Sequence, residues 1–357
     1  MGRLVIMSVL RSSAVISLFT LGSRILGFVR DILVANVLGA SLFADVFFVA
    51  LRLPNLFRQL LAEGAFNVAF VPMLARTLKE KGDSEATRFA NATFAWLLTF
   101  VIAFTVFCLL FMPAIILLIA SGFVDDPVKY ALAVDMSRLT FPYLILIVAT
   151  AFMTGIINSK GRFAEGAAMP MLLNISFIGC LLILPGLGVQ PVWAAAIAVP
   201  VGGVLQVALL WWAVKHVGFN LRLRAPHKHE AMGPLFKRFL PATIGVGAQQ
   251  INLLVSTHLA SLLATGSISY LFYADRLNQL PLALVGIAIG NALLPHLART
   301  IREDGGKKAA RTFEQAFVLG LGLAFAAAAG LFLLAEELIL VLFTRGAFTP
   351  EAAHMTA

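Results

Sequence analysis

Four arginines interrupt an otherwise apolar stretch, Gly22 to Pro72, and a fifth follows much later in the chain. A charge at the centre of a lipid-facing helix costs about 2.5–3.5 kcal/mol on insertion scales, so lipid contact does not explain this many charges. Guanidinium groups stay charged and bind phosphate oxygens in pairs, which favours a water-filled cavity for an anionic substrate. The predicted substrate-binding residues are Arg24, Arg30, Arg52, Arg58 and Arg276.

Acidic residues accompany these arginines, and we predict that three of them act in ion pairs or in a gate: Asp31, Asp45 and Asp275. A purely structural alternative stays open, in which Arg30 pairs with Asp45, or Arg276 with Asp31, only to lock helices together. The arginines outnumber the nearby acids, which favours a binding role for the set as a whole.

Pro54 lies in the middle of the second apolar segment, where a residue without an N–H is expected to kink the helix. Asn55 follows it directly. Its amide has two possible roles, donating to the substrate or satisfying backbone groups that the kink frees, and the second is slightly favoured.

The elements that must position these residues are membrane helices. The chain is 60% hydrophobic with only 13% charged residues, and its mean hydropathy is +0.92, which excludes an ordinary soluble domain. We predict an all-α polytopic membrane protein with about nine transmembrane helices. The predicted spans are residues 12–38, 42–70, 89–112, 131–157, 166–184, 192–214, 239–263, 267–294 and 313–334.

Basic residues are distributed unevenly around these spans. Of the 27 Lys and Arg, nineteen fall in the N-terminus and every second connection, two (Lys129 and Arg345) fall in the other connections, and six lie within spans. This asymmetry predicts a cytoplasmic N-terminus. The basic residues therefore report topology, and no nucleic-acid partner is expected, because stacking aromatics are not interleaved with them.

Other chemistry has little support in the sequence. Cys108 and Cys180, the two cysteines, lie inside apolar spans and are expected to be free thiols. His227 and His229 are expected in a solvated loop, so we predict no metal site and no cofactor. The sequence has no nucleophile elbow or phosphate-binding glycine loop, and we do not expect an enzyme.

An internal repeat predicts two bundles. The segment 72–78, PMLARTL, recurs as PHLARTI at 295–301, six spans later and therefore with the same orientation. Parallel repeats of this kind place a substrate site between two halves. We predict an N-terminal six-helix bundle over residues 1–219, a cytoplasmic linker over 220–236, and the start of a C-terminal bundle over 237–357.

Several motifs resemble the MurJ (MviN) family of lipid II flippases. They are SRILGFVRD at 23–31, ADVFFVA at 44–50, LPNLFR at 53–58, AEGAF at 62–66, AFVP at 69–72 and YADRL at 273–277. The resemblance implies a bacterial inner-membrane exporter of the multidrug/oligosaccharidyl-lipid/polysaccharide superfamily. It would move lipid II, an undecaprenyl-diphosphate-linked disaccharide-pentapeptide, from the cytoplasmic to the periplasmic leaflet by alternating access.

The same resemblance implies that Arg24, Arg30, Arg58 and Arg276 correspond to the family's essential cavity arginines, and Asp45 to its essential outer aspartate. The family has fourteen helices, so the chain is expected to be C-terminally truncated. Implied partners are lipid II, membrane lipids and proteins of cell-wall synthesis. Alternative functions are export of another lipid-linked glycan or of an amphipathic drug, and a non-transporting cell-wall scaffold.

Overall fold

The computed structural model of the protein describes residues 2–59, 65–223, 225–227, 229–282, 293, 297, 300–301 and 306–357. Within these ranges the chain forms helices joined by short connections, and no strand occurs. The helices are α1 Gly2–Leu38, α2 Leu42–Arg58, α3 Ala65–Leu110, α4 Met112–Ile119, α5 Pro127–Thr140, α6 Tyr143–Ser159, α7 Ala164–Ile183, α8 Pro191–His216, α9 Met232–Ser261, α10 Ser267–Pro281, α11 Gly306–Phe343 and α12 Pro350–Thr356.

Five segments of the described chain are long and apolar enough to cross a membrane: Ala69–Leu110, Pro127–Ser159, Ala164–Leu187, Pro191–His216 and Ala309–Phe343. They contain the predicted fourth, fifth, sixth and ninth spans and all but the last two residues of the third. The count of nine spans stays a prediction.

The helices differ from the predicted spans at two places. Residues 76–88, predicted as a polar loop, are helical on both sides of Gly82, where a φ of 82° and a ψ of 177° interrupt α3. A polar sequence remains helical there because Arg76 and Glu80 pair at i, i+4 with an N–O distance of 2.8 Å. The predicted fourth span is divided at Phe141 and Pro142 into α5 and α6.

Packing brings helices from distant parts of the chain together. α7 packs against α1 and α8, α2 packs against α5, and α3 packs against α6 and α9. One apolar cluster surrounds Phe47 and Phe141 and extends to Tyr273 and Phe343, so it joins the first eight helices to α10 and α11. α10 also contacts α2 directly.

Two sequence expectations on domain organisation stay predictions. The second copy of the repeat, 295–301, lies mostly outside the described residues. The linker around 220–236 is partly described, and its backbone is held on α3: Asn91 accepts from Arg222 N at 2.8 Å, and Trp96 Nε1 donates to His227 O at 3.1 Å.

Candidate functional site

Asp31 lies at the centre of a cluster of charges between α1 and α10. Its Oδ1 accepts from Arg30 Nε at 3.0 Å and Nη2 at 2.7 Å, and its Oδ2 lies 3.2 Å from Arg276 Nε. Asp31 is 4% exposed. One carboxylate therefore holds two guanidinium groups, one from each of two helices far apart in the chain. Of the two pairings considered from sequence, Arg276 with Asp31 is found.

α7 supports this cluster from the other side of α1. Asn174 accepts from Arg30 Nη1 at 3.0 Å, and its amide donates to Ser23 O at 3.0 Å. The sequence analysis missed Asn174, although an isolated amide within an apolar span was the available signal.

Arg276 is also held within its own helix. Its guanidinium lies 4.7 Å from the centre of the Phe272 ring, and Nη1 donates to Gln279 Oε1 at 3.0 Å. Gln279 in turn donates to the exposed Asp275. The Arg276 guanidinium is thus held by the Asp31 carboxylate of α1 as well as by side chains of its own helix.

Arg52 extends the cluster to α2 and α9. Its Nη1 donates to the hydroxyl of Thr257, which is fully buried on α9. The carboxylate of Asp275 lies close enough to Arg52 to stabilise its charge. Arg30, Asp31, Arg52, Asp275 and Arg276, hereafter the arginine cluster, are therefore electrostatically linked across three helices, α1, α2 and α10.

Side-chain hydrogen bonds satisfy the backbone of α2 around Pro54. Pro54 has no N–H for the carbonyl of Ala50, and the hydroxyl of Thr140 on α5 donates to that oxygen at 3.0 Å. Asn55 Nδ2 donates to Leu51 O at 3.0 Å, a carbonyl one turn earlier in α2. Its Oδ1 also accepts from Arg58 Nε at 3.3 Å, so Asn55 orients one of the predicted binding arginines.

Arg24 is the most exposed of the five predicted arginines. It precedes Arg30 by six residues, about 9 Å along α1. Within the described part of the chain it has no ion pair or hydrogen bond. Its charge is therefore free to meet an anion.

The arrangement has an excess of positive charge that water reaches. None of the five arginines falls in the buried class. The arginine cluster has three arginines and two acids, so it carries one formal positive charge in excess, and Arg24 and Arg58 add two more elsewhere on α1 and α2. Guanidinium groups already held in place bind phosphate oxygens with less loss of side-chain entropy than free ones. The geometry thus suits an anion with several oxygens.

Asp45 lies in a second cluster, nearer the turn between α1 and α2. It is 1% exposed and caps the N-terminus of α10 from another helix: it accepts from Gly266 N at 2.7 Å, Ser269 N at 3.0 Å and Ser269 Oγ at 2.7 Å. Gly266, the N-cap residue, has no side chain of its own to do this. Caps of this kind contribute about 0.5–2 kcal/mol.

Lys129 completes this second cluster. Its Nζ donates to Asp45 Oδ2 at 3.2 Å and lies 4.4 Å from the centre of the Phe123 ring. The sequence placed Lys129 in an external loop, and that is wrong: it is 6% exposed in the first turn of α5. The signal was its isolation among connections that carry almost no basic residues. We call Asp45, Lys129, Gly266 and Ser269 the Asp45 clamp.

Backbone contacts close the same end of the bundle. Gly39 has a φ of 61°, and a Cβ there would overlap the carbonyl oxygen of Ala347. Ala347 N donates to Asn36 O at 2.8 Å, and Tyr273 OH donates to Gly39 O at 3.3 Å. The C-terminal end of α1 thus packs against α10 and the segment after α11.

Metal binding has no candidate site among the described residues, where no three His, Cys, Asp or Glu side chains lie together. Cys108 and Cys180 are free thiols. His229 lies 3.2 Å from Glu85 as a possible ion pair. Arg138, which the sequence leaves outside the cavity, lies 3.8 Å from Asp135 in an exposed pair.

Comparison with known sequences identifies relatives along almost the whole chain. A family model described as "Lipid II flippase MurJ" matches residues 34–357. The probable lipid II flippase MurJ of Rhizobium tropici is 40% identical over 346 residues, which are 96% of this chain and 65% of that protein. The probable lipid II flippase MurJ of Rhizobium meliloti is 39% identical over 350 residues, or 97% of this chain and 65% of that protein. The chain thus spans 65% of the length of these two relatives.

Comparison with solved structures gives the same fold. A structure described as "Lipid II flippase MurJ, inward closed conformation" superposes with a TM-score of 0.80 at 25% identity, over 96% of this chain and 70% of that one. An inward-facing multidrug resistance MATE family transporter of the MOP superfamily superposes with a TM-score of 0.70 at 14% identity, over 94% and 75% of the two chains, a likeness of fold alone. The predicted all-α polytopic membrane fold is confirmed.

Proposed function

The chain belongs to the lipid II flippase MurJ family, and from that premise we propose that it moves lipid II between membrane leaflets. The substrate would be the undecaprenyl-diphosphate-linked disaccharide-pentapeptide, and the direction from the cytoplasmic to the periplasmic leaflet. The protein would lie in the bacterial inner membrane with a cytoplasmic N-terminus, as the distribution of Lys and Arg predicts. Transport requires no covalent step, so no catalytic residue is assigned.

The observation that carries the proposal is the excess positive charge of the arginine cluster and its neighbours. A diphosphate has oxygens for more than one guanidinium, and bidentate pairs are among the strongest hydrogen bonds that a protein makes. Arg24 and Arg58 would extend the site along α1 and α2. Asp31 would hold Arg30 and Arg276 in place while the site is empty.

Alternating access has a physical basis in α10. Its N-terminus lies in the Asp45 clamp, and Arg276 follows Gly266 by ten residues, about 15 Å along the helix. A displacement of α10 therefore changes both clusters together. We propose that the clamped end faces the periplasm and is closed in this structure, and that diphosphate binding at Arg276 competes with Asp31 and frees α10 to move.

The sign of the charge in the arginine cluster also discriminates between the alternative functions. An exporter of cationic drugs needs an acidic cavity, and this cluster has the opposite sign. An exporter of another polyprenyl-diphosphate glycan fits the same charges, so competition between lipid II and other polyprenyl diphosphates is the discriminating measurement. Membrane lipids and cell-wall synthesis proteins remain predicted partners.

The test is translocation by the purified intact protein in proteoliposomes, with lipid II that carries a fluorophore on its headgroup. Neutral variants Arg24→Gln, Arg30→Gln and Arg276→Gln are expected to lower the translocation rate at least tenfold, about 1.4 kcal/mol. Arg138→Gln is the matched control, because Arg138 pairs with an aspartate on a membrane helix but lies outside the cluster. Unchanged rates in all three neutral variants would overturn the proposal, and absence of translocation by the unaltered protein alone would favour a scaffold.

A further inference from the structure

The Asp45 carboxylate has partners of two kinds. Three of its donors, Gly266 N, Ser269 N and Ser269 Oγ, belong to α10. The fourth, Lys129 Nζ, belongs to α5, against which α2 packs. Any motion that withdraws α10 from α2 removes the first three donors at once and leaves the fourth in place.

Without Lys129 that motion would strand a charge. The side chains of Asp45 and Lys129 are 2% and 7% exposed, so water does not reach them in the closed state. A buried carboxylate that loses its donors carries a large desolvation penalty unless a cation remains beside it. In the closed state the three α10 donors also stabilise the carboxylate, whereas in the open state Lys129 is the donor of the clamp that remains beside it.

A residue shifts the equilibrium between the closed and open states only if it stabilises one of them more than the other. We propose that Lys129 is a positioning residue that keeps Asp45 charged and paired while α10 withdraws, and so raises the open fraction at the clamped end. This inference rests on the proposed function only in taking the open form as part of the transport cycle. The role belongs to Lys129 and not to the nearby aromatic ring, because Phe123 carries no charge.

A rival role for Lys129 is to hold the clamp shut. Its Nζ also donates to Thr265 Oγ1, next to Gly266, at 3.4 Å. That contact is the longest of the group and ends on a neutral hydroxyl, so it favours closure weakly. The two roles predict opposite effects of removing the lysine.

The experiment measures the fraction of the protein in which the Asp45 clamp is open. Ile268, 1% exposed at the start of α10, is replaced by cysteine after Cys108→Ala and Cys180→Ala. A membrane-impermeant maleimide then labels the intact protein in membranes at a rate proportional to the open fraction, with no lipid II present. Lys129→Met is expected to slow labelling by about tenfold or more.

The double variant decides the mechanism. Asp45→Asn removes the charge that needs a counter-ion, so Asp45→Asn with Lys129→Met is expected to label at least as fast as the unaltered protein. Lys160→Met is the matched control: Lys160 pairs with Asp83 at 2.6 Å and lies 5.4 Å from the Phe219 ring, but its side chain is 29% exposed and that of Asp83 is 78% exposed. Water already reaches Asp83 and can solvate its carboxylate when Lys160 is replaced, so the labelling rate should not change.

Two results would overturn the inference: faster or unchanged labelling in Lys129→Met, and a double variant as slow as the single one. If Lys129→Met fails to fold, the neutral double variant must fold, since it has no stranded charge. Failure of the double variant where Asp45→Asn folds also refutes the inference. The labelling assay uses no substrate. Its result can therefore be interpreted even if the protein does not translocate lipid II.

Discussion

The hydroxyl of Thr140 donates a hydrogen bond to Ala50 O, and the structure allows its contribution to the free energy of unfolding to be estimated. Thr140 and Ala50 are both fully buried, and the hydroxyl donates to the one carbonyl of α2 that Pro54 deprives of its helical donor. Thr140→Val keeps the side-chain shape and removes the donor. A buried carbonyl left unsatisfied costs about 1–3 kcal/mol, so we expect the free energy of unfolding to fall by about 2 kcal/mol.

Thr150 provides the matched control. It is 2% exposed on α6, and its hydroxyl donates to Ile147 O at 2.7 Å, a carbonyl within the same helix. That carbonyl lies within a regular turn of α6, so Thr150→Val should cost about 0.5 kcal/mol. Equilibrium unfolding in mixed micelles, followed by circular dichroism, measures both variants. Equal losses in the two would show that the Ala50 carbonyl needs no donor from α5, and the reasoning about Pro54 in α2 would fail.

Two further predictions concern the clusters. Asp31→Asn leaves two guanidinium groups facing each other without a carboxylate, so unfolding free energy in the same assay should fall by about 3 kcal/mol; the exposed Asp83→Asn should change it little, and similar losses in both would contradict the buried role. Gly39→Ala combines a positive φ with overlap on Ala347 and should lower the thermal midpoint more than Gly188→Ala, which has a φ of 85° and open space around a Cβ. Equal shifts in the two glycine variants would mean that packing at the clamped end contributes nothing.

One short helix joins the arginine cluster to the Asp45 clamp. α10 carries Arg276 in the arginine cluster and its own N-terminus in the Asp45 clamp. Helix capping, an ion pair and an aromatic contact thus act on the same rigid element. A ligand at one end changes the balance at the other only if it binds the two positions of α10 unequally.

Local sequence predicted most of the helical content, because apolar composition over twenty residues is a local property that only helices satisfy in lipid. The kink expected at Pro54 stays a prediction, and α2 runs as one helix from Leu42 to Arg58. Local sequence failed at residues 76–88, where helical pairing such as Arg76 with Glu80 extends α3 beyond the apolar span.

The sequence by itself determined the class of protein, the residues that carry charge into the bundle, and the family resemblance, since all three are read from composition and short motifs. Only the tertiary structure decided which charges meet. Asp31 reaches Arg276, Asp45 caps α10 and Lys129 is buried beside it because helices far apart in the chain pack side by side. A carboxylate's partner depends on distances of about 3 Å, which sequence separation does not encode.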